Sequence, residues 1–250
     1  MKTRIAVTFI VALVIALTAF TIPTAAQVTL QAGGGIGLVF PQADYGGSTI
    51  DYYNGTKYGL GSGFNVHAKG RIVVVGFRLA GKISYSSLSN DGNSEPGQGK
   101  VEVSHSHLSV KVGPEFHLAV PLMPFTPYLG ANVALNRIGG ETTFQGVSRV
   151  SSATYSMESA TRLGLGLTGG LLVSFRPLTS LDINVGYNLV NLSGKEWKDM
   201  NPTQDQRIDT YLALNDEKDP AYAPSSDRHV VSSARNIHTL EIKATILFGL

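Results

Sequence analysis

The C-terminal stretch, residues 239–250, alternates without a break. Leu240, Ile242, Ala244, Ile246, Phe248 and Leu250 form one apolar row. Thr239, Glu241, Lys243, Thr245 and Gly249 form a polar or small row, with Leu247 its single apolar member. Strict period two means a strand with two unlike faces. A two-faced strand at an open chain end must pair, or it becomes a template for aggregation. The expected partner is residues 27–40, where Val28, Leu30, Ala32, Ile36, Leu38 and Phe40 oppose Thr29, Gln31, Gly33, Gly35 and Gly37. Pairing the two ends closes a barrel.

The same alternation recurs at residues 61–69, 73–85, 101–120, 128–136, 162–176 and 181–189. With the two ends this gives eight strands. Gly70-Arg71 is expected to be a tight turn. Pro114 cannot donate a ladder hydrogen bond and is expected to sit at a bulge. Residues 41–58, 86–100, 139–159 and 193–236 are rich in Gly, Ser, Asn, Asp and Pro and are expected as loops. They alternate with short turns, so one rim carries long loops and the other short ones. The fold expected is all-β, an eight-stranded antiparallel transmembrane β-barrel with short periplasmic turns and long extracellular loops.

A soluble eight-stranded barrel is the rival, with its apolar row pointing inward. Three features favour the membrane form. The loop lengths differ by rim. The polar rows carry Gly, Asn, Ser and Thr, which suit a crowded interior. Phe40, Tyr85, Phe116, Phe125, Phe175, Tyr187 and Phe248 lie near strand ends, where an interfacial girdle would be. Charged residues are 15% of the chain, against roughly 25% in soluble domains.

Residues 1–26 read as a signal peptide and residues 27–250 as the barrel domain. Lys2 and Arg4 precede an apolar run to Phe20, and small residues Thr24, Ala25 and Ala26 precede the expected cut. Its loss leaves 18 basic and 18 acidic residues, so the basic balance implies no nucleic-acid partner. There is no cysteine to support a disulfide, a thiolate metal site or a lipoprotein anchor.

The inward rows place Arg78, Lys82, Lys111, Glu115, Arg162, Arg176, Asp182, Glu241 and Lys243 in the barrel. Eight strands leave room for side chains and little else, so these charges are expected to form a polar network. A narrow water path is the alternative. His105, His107 and Ser109 share a strand face with Glu115. That set suits acyl transfer in residue type, and two histidines two apart suit a metal, but no third ligand is evident. No catalytic, cofactor or metal residue is assigned. Tyr45, Tyr52, Tyr53 and Tyr58 in the first loop, and the acidic residues from Asp199 to Asp227 in the last, are candidates for surface recognition.

Val112-Gly113-Pro114-Glu115-Phe116, Thr126-Pro127-Tyr128-Leu129-Gly130-Ala131 and the terminal strand resemble the OmpA-like eight-stranded outer-membrane barrels of Gram-negative bacteria. The resemblance covers residues 27–250, without the peptidoglycan-binding domain. It implies a monomer among outer-membrane lipids, with no shared catalytic residues. It also implies recognition of the C-terminal strand by the barrel-assembly machinery, with Phe248 and Leu250 as the signal. That family usually ends in an aromatic residue, and here the last is Leu250. The His–Ser–Glu set resembles the residue types of the lipid A deacylase barrels, although those enzymes present their site to the membrane.

Overall fold

The computed structural model describes residues 29–53, 56–74, 77–118, 123–148, 150–176, 178–193 and 235–249. The expected signal segment, Leu250 and the acidic residues from Asp199 to Asp227 lie outside them. Eight strands form one closed antiparallel barrel in sequence order. They are β1 (Thr29–Ala43), β2 (Gly63–Val74), β3 (Phe77–Glu95), β4 (Gln98–His117), β5 (Phe125–Gln145), β6 (Ala153–Arg176), β7 (Thr179–Ser193) and β8 (Ile237–Gly249). A short helix, α1 (Thr49–Tyr53), lies between β1 and β2. The chain ends meet, with Gln31 opposite Gly249 and Ala43 opposite Ile237.

The apolar rows point outward. Ile36, Leu129 and Leu167 are 69%, 63% and 68% exposed, and they belong to a belt that runs round all eight strands. A soluble barrel would bury these side chains, and water does not tolerate an apolar surface this large. Phe116, Phe175 and Phe248 stand at one edge of the belt, and Tyr85 and Tyr187 at the other.

Above that second edge the polarity of the same strands inverts. Along β4, Leu108, Val110, Val112 and Phe116 face outward, whereas Lys100 and Glu102 on the same face are exposed and charged. Inward, Lys111 and Glu115 give way to Val101 and Val103, both fully buried. Lipid wants apolar-out and water wants polar-out, so the crossover marks where the strands leave the membrane. Strands β3 to β6 have 19, 20, 21 and 24 residues. The other four have 12 to 15. A four-stranded sheet therefore rises above the rim.

Four local expectations are corrected. Gly70-Arg71 is not a turn: Gly70 pairs with Gly81, and β2 continues to Val74. The reason is electrostatic, since Arg71 finds two carboxylates inside the bore. Residues 86–100 and 139–159 are mostly strand, with turns at Pro96-Gly97 and near Gly146. The inverted alternation there conceals strands that the apolar-out rule misses. Pro114 makes no bulge: β4–β5 pairing passes over Gly113 and Pro114 and resumes in the same register at Glu115. The register shifts fall elsewhere, between Ile138 and Gly140 and twice on β6.

Candidate functional site

The bore is filled in layers of different chemistry. The lower polar layer links five strands. Lys69 Nζ lies 2.6 Å from both Glu115 and Asp182. Arg71 donates from Nε to Glu115 at 2.6 Å, from Nη2 to Asp182 at 2.9 Å, and from Nη1 to Gln31 Oε1 at 3.0 Å. The Tyr128 hydroxyl donates to Asp182 Oδ1 at 2.6 Å, and Asn184 Nδ2 donates to the same oxygen at 3.0 Å. His117 stacks on the Tyr128 ring at 4.8 Å, with Nε2 3.2 Å from Glu115. Two cations and two carboxylates are thus cross-linked, which meets the requirement that buried charges be paired and hydrogen-bonded.

One layer up, Glu241 lies 3.1 Å from Lys111 and also contacts Lys243. Lys111 donates to Asn188 Oδ1 at 2.8 Å. His67 bridges Asn65 and Thr245 at 2.9 and 2.8 Å. Period two brings these side chains inward, and the cross-barrel register decides which of them meet.

The expected network residues are thus placed unevenly. Glu115 and Asp182 fall in the lower layer, and Lys111, Glu241 and Lys243 in the upper one. Lys82 lies beside the upper group. Arg78 is half-buried and opposite Glu115 in the β3–β4 register. Arg162 is buried near the outer end and donates to the Thr161 carbonyl at 3.1 Å. The Arg176 side chain lies outside the described residues. Lys69, Arg71, Tyr128 and His117 were absent from the expected set. Asn65, His67, Lys69 and Arg71 share one parity; Lys69 already lay on the inward row of the expected strand, and continuing that strand past Gly70 would have added Arg71.

The histidine cluster does not form a triad. Asn136 Nδ2 donates to the Val190 carbonyl at 2.7 Å, which orients the amide. Its Oδ1 accepts from Ser109 at 2.7 Å and lies 3.0 Å from His107 Nε2. An amide oxygen only accepts, so His107 donates from Nε2. Ser109 gives its proton to Asn136, not to a histidine. His105 is buried against the rings of Tyr45 and Tyr58.

The top layer is apolar, and the first loop supplies much of it. Tyr45, Tyr52, Tyr53 and Tyr58 are at most 1% exposed. They pack with Leu60, Leu88, Val101, Val103, Ile138 and Phe144 in one core. Tyr52 shares a hydrogen bond of 2.8 Å with Thr142. Burial pushes the Tyr45 phenol above its ordinary pKa and keeps it neutral. These tyrosines are therefore not the exposed binding aromatics expected from composition. The projecting strands give them an apolar inner face to cover.

The chain is similar to a number of solved structures at low identity, among them these three. Neisserial surface protein A is 15% identical, with 90% of this chain and 98% of that one covered and a TM-score of 0.48. A major outer membrane protein from Thermus thermophilus is 16% identical, with 90% and 100% covered and a TM-score of 0.48. Ail of Yersinia pestis, solved with the heparin analogue sucrose octasulfate, is 12% identical, with 89% and 99% covered and a TM-score of 0.38. No curated protein matches. The family model described as outer membrane protein beta-barrel domain matches residues 12–207, most of the chain. The barrel is closed, its belt is apolar and its bore is polar, and the chain belongs to the outer membrane protein beta-barrel domain family of the bacterial outer membrane.

Proposed function

We propose that this protein is a closed outer-membrane barrel whose working surface is its extracellular sheet and loops. The observation that carries the proposal is the double obstruction of the bore. Ion pairs bridge it within the membrane, and an apolar plug from the first loop fills it above. The two obstructions have different chemistry, so no single perturbation removes both. Outside, β3 to β5 present Asp91, Lys100, Glu102, Arg137 and Glu141 to water. A rigid, polar sheet of that kind suits recognition of a partner at the cell surface. Within the proposal, the chain is a monomer, and its assembly signal is Phe248, exposed at the periplasmic rim, together with the terminal Leu250 of the sequence.

Single-channel recording in planar bilayers separates this function from a small pore. Silent membranes containing heat-modifiable, folded protein are expected, and discrete conductance steps would sink the proposal. Lipid A left unchanged by overexpression is the matching expectation against a lipid-modifying enzyme.

A further inference from the structure

Three lysines stand side by side on the inner wall. Lys69 is opposite Lys82, and Lys82 is opposite Lys111, on β2, β3 and β4. Like charges directly opposed across a ladder repel. The outer two have partners, Lys69 in Asp182 and Glu115, and Lys111 in Glu241. Lys82 has no carboxylate within 4 Å among the described residues. Its electrostatic neighbours are Lys243, Lys111 and Glu241. That layer therefore sets three lysines against one carboxylate. The layer below has no charge to lend, because Glu115 and Asp182 are already shared by Lys69 and Arg71.

Lys82 also lines a cavity of about 40 Å³, together with Lys69, Lys111, Glu115, Asn132, Thr168 and Asn184; the Glu115 carboxylate there is already paired with Lys69 and Arg71. One water needs roughly 10–15 Å³ by the same kind of measure, so the space takes a small ion with some hydration. Asn132 Oδ1 is buried and has no hydrogen-bond partner among the described residues. A half-turn of that amide, whose two ends have nearly the same shape, presents its NH₂ instead. Donors on three strands then converge: the Lys82 ammonium, the Asn132 amide and the Thr168 hydroxyl.

We propose that this cavity binds a small monovalent inorganic anion of chloride size, with Lys82 as its principal ligand. The anion completes the charge balance of the layer. The volume excludes organic anions such as gluconate.

The test is thermal unfolding of the refolded barrel in a neutral detergent, with sodium chloride exchanged for sodium gluconate at constant ionic strength. A ligand that binds only the folded state raises the midpoint with its concentration. The expected result is a saturating rise of about 3–5 °C in chloride or bromide, lost in Lys82→Met. Equal midpoints in chloride and gluconate would overturn the proposal, and that is the outcome for a cavity holding water alone. An undiminished chloride response in Lys82→Met would overturn it too. If that variant fails to fold, Thr168→Val must weaken the response. Bromide-soaked crystals of the unaltered protein must show an anomalous peak beside Lys82, and a peak found only at the surface counts against the site.

Discussion

The hydroxyls of Tyr52 and Thr142 lie 2.8 Å apart, buried, and join residues 90 positions apart in the chain. This bond fastens the first extracellular loop to the inner face of β5. Tyr52→Phe leaves the Thr142 hydroxyl without its partner and is expected to cost about 1–2 kcal/mol locally. Tyr52→Ala also opens a cavity and is expected to cost about 3–5 kcal/mol. Limited proteolysis of the first loop in folded protein is the measurement. Protection equal to that of the parent in Tyr52→Ala would mean the plug does not depend on this residue.

Asp182 is the hub of the lower layer, receiving Lys69, Arg71, Tyr128 and Asn184. Asp182→Asn keeps the shape and removes the charge. Breaking one side of a buried ion network costs about 3–5 kcal/mol, because the remaining charges stay buried. Urea unfolding of the refolded barrel should show that loss. Asp182→Asn combined with Lys69→Met should recover part of it, since the two changes share one interaction.

Gly33 and Gly35 line the seam where β1 meets β8. A Cβ built on Gly33 would land on the Ile246 carbonyl oxygen, and one on Gly35 would meet the Ala244 carbonyl oxygen. Both obstacles are backbone, so no side-chain movement relieves them. Gly33→Val is expected to prevent closure and abolish the heat-modifiable shift on a detergent gel, whereas Gly70→Ala, where the nearest atom is 3.9 Å away, should retain it.

The polarity crossover on β4 predicts how outward charge is tolerated. Val112→Arg lies mid-belt and is expected to cost about 2–4 kcal/mol, against about 0–1 near an interface. Glu102→Arg, on the same face above the belt, should leave folding into lipid vesicles unchanged. Equal folding yields for both would misplace the boundary.

Ser48 caps α1. Its backbone N–H and hydroxyl both donate to Asp51 Oδ2 at 2.9 Å, and Asp51 N–H donates back to Ser48 Oγ at 3.1 Å. This reciprocal arrangement is a capping box with Asp in the Glu position. The hydrogen bonds from Ser48 hold the Asp51 carboxyl below its ordinary pKa. A depressed folded value contributes stability above the unfolded pKa of about 3.9, and it is lost as the pH falls through the lower folded value. Solvent screening keeps the effect below about 1 kcal/mol. First-loop protease resistance in Asp51→Asn should therefore fall below the parent at pH 7, and the gap should narrow as the pH is lowered below about 3.9.

Strand number, closure and the outward face were legible in the sequence, because period two is a local property and the belt residues Ile36, Leu129, Leu167 and Ile246 repeat it without reference to distant chain. The inward parity of Glu115, Asp182 and Glu241 was legible for the same reason. Which charges meet was not, since Lys69 on β2 reaches Asp182 on β7 only after the whole ring has closed with its own stagger. Nor was the fate of Tyr52 and Tyr58. In the chain they look like exposed loop aromatics, and only the apolar inner wall raised by β3 to β6 gives them something to bury against. Arg71 joins the two cases. Gly70 beside it looked like a turn, and two carboxylates from β4 and β7 draw it into the bore instead. Local alternation sets the faces, and pairing across the barrel sets the chemistry between them.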